Sequence, residues 1–408
     1  MSSSWKQQGP SIVGDAAYDE LGWSVALSAD ARTLVVGAPG DKYNTDRKGY
    51  VKVYRAKEDG WKRNGQTIYG DAIGDLFGWS VDITAEGNII VLGSPGYYNN
   101  TDRPGYARVY SLVSNDEAGD DTWNQIGQDI IGEANGNLFG YSVSISEDGK
   151  TIAVGAVKGA NLKSGHVRIY RLEDDGTSWG QIGEDIVGEA KNDNFGFTVS
   201  LSADGSTIAI GAPDNDDNGD DSGQVIVYRI DSEGSSWELL VQKSIHGDNA
   251  GDWSGFSVDL SPDGNTLAIG SPGYWEDDDR PGYVRVFSLE SSLITGSWIR
   301  IGQDIIGEAN GDVFGFSVSL SDDGKTLAVG VRGADVNGAA SGHVKVYQMD
   351  GSVSGWMQLG DGINGEAAYE NSGWSVSLSA DGNTVAIGSP NNGDNGDASG
   401  HVRVFVWE

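Results

Sequence analysis

The sequence predicts an all-β fold: a seven-bladed β-propeller with four antiparallel strands per blade, one domain over residues 1–408. Three observations predict it. Trp5, Trp61, Trp123, Trp179, Trp237, Trp298 and Trp356 recur every 56 to 62 residues, each opening a variant of one string. Each repeat then carries four short strand signals, which is the period and content of a propeller blade. Finally, the chain begins with a Trp strand, Trp5 to Ile12, and ends after a third strand, Gly400 to Trp407. The last blade therefore lacks a fourth strand, and the N-terminal segment is predicted to supply it, closing the ring and removing an open edge.

The sixth repeat shows how each element arises. Phe316-Ser-Val-Ser-Leu-Ser321 alternates large apolar with small polar residues, the period-two pattern of a strand. Asp323-Gly324 reads as a two-residue hairpin turn in which Gly takes positive φ. Thr326 to Gly330 returns as a strand apolar on both faces, Gly342 to Tyr347 forms the third, and Trp356 to Leu359 the fourth. The same turn occurs at Asp148-Gly149, Asp204-Gly205, Asp263-Gly264 and Asp381-Gly382, weakens to Glu86-Gly87, and becomes Asp30-Ala31 in the first repeat. On the inner strand, small residues such as Ser142, Ser144 and Ser146 allow neighbouring blades to approach. Trp23, Trp79, Tyr141, Phe197, Phe256, Phe316 and Trp374 fill the opposing side. A lone blade cannot bury both faces, so the blades depend on one another. Blades two to four and five to seven resemble a duplicated block: Gly-Gln-Asp-Ile-Ile-Gly-Glu-Ala-Asn-Gly stands at 127–136 and again at 302–311.

Composition narrows the partners. The net charge of −33 repels phosphate backbones, which argues against nucleic acid and anionic membrane surfaces. Cys is absent, and no signal-peptide core or transmembrane run is visible. The expected partner is a protein or a glycan, and the chain itself is expected to be monomeric.

Phe139-Gly140-Tyr-Ser-Val, Ile210-Gly-Ala-Pro213 and Gly342-His-Val-Lys-Val-Tyr347 resemble the FG-GAP repeat, which builds the seven-bladed propeller of integrin alpha subunits. The resemblance implies adhesion or ligand binding at the cell surface or outside the cell. The calcium loop of that family lies between the first two strands; here the connection is only S-x-D-G-x-T, so that site is not carried over.

Candidate residues fall on loops of one face. The loops joining strands two and three in blades one, two and five set Tyr43, Tyr97, Tyr98, Tyr274 and Trp275 beside Arg47, Arg103 and Arg280. Aromatic faces beside planar polar groups suit sugar rings or a protein partner, or the rings pack over their own loops. In blade four, Asp214, Asp216, Asn218 and Asp220 match the first half of an EF-hand loop and are candidate Ca²⁺ ligands, although Val225 stands where the bidentate Glu would be. Each blade-to-blade loop carries an acid (Asp15, Asp71, Glu133, Glu189, Asp248, Glu308, Glu366), followed four residues later by Asp19, Asp75, Asn137, Asp193, Asp252, Asp312 or Glu370. Sevenfold recurrence favours acceptors for loop N–H groups over a unique site. His166, His343 and His401 exchange with Tyr and Gln at one repeat position and read as strand-end packing.

The expected function is a non-enzymatic binding or adhesion module working through the loop-rich face. The alternatives are a glycan hydrolase or lyase using carboxylates near the axis, for which Asp82 and Asp259 are the inner-strand acids, and a scaffold without a small ligand.

Overall fold

A computed structural model describes residues 3–40, 47–96, 103–114, 121–158, 164–241, 243–273, 280–290, 296–351 and 355–408. Seven antiparallel sheets surround a central axis, and no helix occurs among the described residues. Blade four is representative: Thr198–Leu201 innermost, then Thr207–Ala212, Gln224–Ile230 and Trp237–Leu239. The fourth strand resumes as Ile245–His246, which pairs with the same third strand.

The N-terminal strand completes blade seven as the chain frame requires. Trp5 pairs with Trp407, Lys6 with Val406 and Gln7 with Phe405, and Ile12 and Val13 pair with Val402 and His401. The Trp5 and Trp407 rings lie 5.3 Å apart. No open edge remains between first and last blades.

The second strands are the driest part of the molecule. Leu34, Ile90, Ile152, Ile208, Leu267, Leu327 and Val385 are fully buried, and each fills the gap between neighbouring sheets. The turns between first and second strands differ from the expected two-residue hairpin. Residues 146–150 form a longer connection, closed by Gly149 N–H to Ser146 O (2.9 Å) and Ser146 N–H to Thr151 O (2.9 Å). The Asp of the motif builds this turn: Asp148 Oδ1 accepts Ser146 Oγ–H (2.7 Å) and Lys150 N–H (2.9 Å). Gly149 takes φ of 69° as expected, whereas Ala31 adopts 54° without the freedom of Gly.

Two sets of side-chain ties stitch the blades. In the first, an inner-strand Ser or Thr donates to the Gly carbonyl of the next blade. Ser24, Ser80, Ser142, Thr198, Ser257, Ser317 and Ser375 reach Gly78, Gly140, Gly196, Gly255, Gly315, Gly373 and Gly22, a complete circle. In the second, the residue two positions on accepts a backbone N–H of the next blade. Asp82, Ser144, Ser200, Asp259, Ser319 and Ser377 hold Ile145, Leu201, Leu260, Leu320, Leu378 and Leu27. The seventh position is Ala26, which has no side-chain acceptor, and Ile83 N–H bonds instead to its own neighbour Asp82. This is why the inner strands are rich in small hydroxyl residues.

Candidate functional site

The aromatic residue noted in the sequence lies just before the inner strand in five blades and inside it at Tyr141 and Phe316, and the seven form a closed ring at the mouth of the axis. Neighbouring centroids are 4.5 Å apart for Trp23–Trp79, 5.3 Å for Trp79–Tyr141, 5.1 Å for Tyr141–Phe197 and 4.8 Å for Phe197–Phe256. The circle continues through Phe256–Phe316 (4.8 Å), Phe316–Trp374 (4.9 Å) and Trp374–Trp23 (4.5 Å). All seven pairs are tilted by 45° to 52°. Tilting lets each ring present an edge to its neighbour's face, the favoured aromatic geometry.

The backbone aims these rings. Each ring residue immediately precedes the Ser or Thr that ties its blade to the next. Three positions before the ring, a residue adopts the left-handed region: Glu20, Leu76, Leu138, Asn194, Trp253, Val313 and Asn371, with φ of 54° to 59°. Val313 is β-branched and pays most for it.

The rings wall a cup of 620 Å³, also lined by Asn194, Thr198, Pro213, Asp214, Trp253 and Arg332. One carboxyl and one guanidinium stand in this lining. Asp214 follows the second strand of blade four and accepts a hydrogen bond from Asn194 Nδ2. Burial, then the nearby charge of Asp221, pushes its carboxyl up to about 7, against the opposing pull of Asn194. Arg332 follows the second strand of blade six. Its Cζ lies 4.5 Å from the Phe316 centroid and 5.0 Å from that of Trp374, within cation–π range. Burial lowers its guanidinium to about 10, so it stays charged at neutral pH. The cup thus joins ring-stacking surface, a carboxyl poised to exchange a proton near pH 7, and a fixed cation. Grooves of 630 and 760 Å³ also run along the outer blade edges; the first is lined by His246, Asp248, Arg285 and Trp298, but there Arg285 pairs with Asp248 and holds its carboxyl below the usual range.

The other candidates are placed differently. Asp82 and Asp259 serve as the blade ties described above. Burial raises them to about 6 and about 7, and Asp82 adds to the rise at Asp259. Tyr43, Tyr97, Tyr98, Tyr274 and Trp275 lie outside the described residues. Arg47, Arg103 and Arg280 have a common structural role, each pairing with the second acid of its blade-to-blade loop, Asp19, Asp75 or Asp252. Tyr50, Tyr106 and Tyr283 donate to the same three carboxylates at 2.9, 3.1 and 2.9 Å.

Those loop acids do accept loop N–H groups. Ala16, Ala72, Ala190, Asn249, Ala309 and Ala367 donate to Asp19, Asp75, Asp193, Asp252, Asp312 and Glu370. The first acids pair with a third-strand cation: Asp15, Asp71, Glu133, Asp248, Glu308 and Glu366 face Lys52, Arg108, Arg168, Arg285, Lys345 and Arg403. In blade four that strand position is Ile226.

The four candidate Ca²⁺ ligands do not converge. Asp214 turns to Asn194 and the cup, Asp216 Oδ1 accepts Asp221 N–H (2.8 Å), and Asn218 Nδ2 donates to Gly247 O (2.6 Å). Asp220 is exposed on the loop, and its backbone carbonyl accepts Gly251 N–H (2.8 Å). Blade six builds the same loop with Asn337 on Gly365 O (2.6 Å) and Asp335 on Ala340 N–H (2.8 Å), although Gly333 and Ala339 replace the outer acids. The acids of blade four are therefore parts of a turn. His166, His343 and His401 are buried at the start of their third strands. Around His401, Glu366 and Asp394 bring ligand atoms within 4.8 Å of one another, but Glu366 also faces Arg403 at 3.4 Å.

The sequence pattern alone does not single out Arg332, or Asp214 in this setting, yet both carry a signal. Arg332 stands where Pro39, Pro95, Pro213, Pro272 and Pro390 stand in other blades, and Asp214 where Gly40, Gly96, Gly273 and Gly333 stand.

Comparison with known proteins agrees with the fold. Residues 13–54 and 188–228 match the FG-GAP repeat, so the chain carries FG-GAP repeats in blades one and four. No curated sequence matches the chain. Among solved structures, the periplasmic gluconolactonase of Pseudomonas aeruginosa aligns with a TM-score of 0.56 at 16% identity, covering 85% of each chain. A protein of Bacteroides uniformis, provisionally named a 6-phosphogluconolactonase, aligns with a TM-score of 0.55 at 14% identity, covering 84% of this chain and 85% of its own. At such identity the likeness establishes fold alone. Both neighbours are named as lactonases, and this finding corrects the expectation of a non-enzymatic adhesion module.

Proposed function

We propose that this chain is a hydrolase that acts on a small sugar-derived molecule in the axial cup, with Asp214 as the group that moves the proton. One observation carries the reading: a carboxyl that titrates at about 7 stands in an aromatic-walled cup. General acid–base groups work best when their proton affinity matches the working pH, and aromatic faces pack well on sugar rings. The names of the two structural neighbours, both gluconolactonases, support the substrate class.

The test is a hydrolytic screen over sugar lactones, sugar esters and aryl glycosides with the native chain and Asp214→Asn. The native rate should follow one ionisation near pH 7, and the variant should lose about 10²- to 10⁴-fold, the usual contribution of a positioned acid or base. Full activity in the variant, or no turnover of any member of the panel, would refute the proposal.

A further inference from the structure

Resting on the hydrolase reading, we infer that the bond cleaved is the carbonyl ester of a sugar lactone, with Arg332 holding the carbonyl oxygen and Asp214 taking the proton of the attacking water.

The charges in the cup decide between the bond types. Glycoside cleavage passes through a cationic sugar ring and uses two carboxyl groups on either side of the bond. Asp214 is the single carboxyl among the described residues lining the cup, and Arg332 is a cation lining the same cup. A guanidinium beside an oxocarbenium ion opposes the charge that forms. Ester hydrolysis develops negative charge on the carbonyl oxygen, which a fixed cation stabilises. Asp82 and Asp259 cannot supply a second carboxyl to a glycoside, because each holds a backbone N–H of the next blade.

Placement agrees. Asp214 and Arg332 leave the second strands of blades four and six, so they enter the cup from separate sectors of the ring. Both break a repeat that in most other blades puts Pro or Gly at their positions. Arg332 lies over Phe316 and Trp374, which hold its guanidinium against the wall. Asn194 donates to Asp214 and orients its carboxylate. The cup, at 620 Å³, falls in the usual range of small-molecule sites and has room for a sugar ring and the attacking water.

The step balances without a co-reactant. Water oxygen bonds to the carbonyl carbon while Asp214 takes one water proton. The carbonyl π pair moves onto its oxygen, facing Arg332. That pair then re-forms the carbonyl, the ring C–O bond breaks, and the departing alkoxide takes the proton from Asp214. The product is an open-chain hydroxy acid, which releases its acidic proton to solvent.

The experiment compares glucono-1,5-lactone, followed by proton release above its spontaneous rate, with 4-nitrophenyl β-glucoside, across pH 5 to 9. The lactone should be turned over, with kcat/KM rising as pH rises through about 7, because the base must be ionised. Arg332→Met should lower kcat about 10²- to 10³-fold, as loss of an oxyanion donor does, while Arg332→Lys restores part of it. Melting profiles of both variants check that the ring is intact. Lactone turnover that Arg332→Met leaves unchanged overturns the role of Arg332. Glucoside cleavage that depends on Asp214 and falls with rising pH, with the lactone untouched, overturns this inference and leaves the hydrolase reading standing. Turnover of neither probe overturns the inference, and only failure of the wider panel removes the hydrolase reading as well.

Discussion

Replacing Asp259 by Asn should stabilise the protein at alkaline pH and do almost nothing at acid pH. Asp259 is half-buried on the innermost strand, and its folded-state pKa is raised from 3.8 to about 7, by burial first and by the charge of Asp82. A raised carboxyl binds its proton more tightly folded than unfolded. Its contribution is therefore most favourable below about pH 4 and is lost as pH climbs to about 7. A pKa difference of about 3 sets a ceiling of about 4 kcal/mol on that loss. Solvent screening of a half-buried group brings the expected figure to about 1–2 kcal/mol. The amide keeps the fold's needs: its oxygen can accept Leu320 N–H, now held at 2.7 Å by the carboxylate, and its nitrogen can donate to Ser200 Oγ. Urea titrations at about pH 5 and about pH 8.5 measure the effect as a shift in midpoint at constant slope. The variant should exceed the native protein by about a third of the full effect at the lower pH and by all of it at the higher. Equal destabilisation at both values would mean that the ionised carboxylate, with its bonds, is the favoured native form, and the reasoning would fail.

Other outcomes follow from the same geometry. Gly211→Ala should cost about 1–3 kcal/mol or more, because the added Cβ would sit 2.1 Å from Gly255 O in the next blade; thermal unfolding reads this directly. Arg280→Gln leaves the buried Asp252 with Tyr283 and the loop N–H groups but without its Arg280 partner, and should lower stability by about 1–3 kcal/mol, again by urea midpoint. Added Ca²⁺ at millimolar levels should not raise the melting temperature, since Asp214, Asp216 and Asn218 bond in three directions; a concentration-dependent rise would overturn that.

The fold is legible in the sequence because a propeller repeats its instructions. Seven Trp strands, the S-x-D-G-x-T turn and the small inner-strand residues each recur, so an exception such as Ala31 does not hide the rule. Even the closure is readable from where the strands begin and end. The site is harder, because in a repeat protein a unique function lies in what is not repeated. The sevenfold acids are the most conspicuous polar residues, and they are loop and strand partners such as Asp15 with Lys52. The pair lining the cup consists of departures: one Arg in a column mostly of Pro, one Asp in a column mostly of Gly. No local pattern says that blades four and six bring those departures to one cup; only ring closure does.

The tie missing at Ala26 gives the torus a mechanical asymmetry. The joint between the last blade and the first is fully latched, through Ser375 to Gly22 and Ser377 to Leu27, whereas the joint between the first and second sectors carries one latch fewer. A hoop under load parts at its least-fastened seam. In this molecule that seam lies on the far side of blade one from the sheet that pairs the two termini, so a transient breach there leaves the pairing of Trp5 with Trp407 intact.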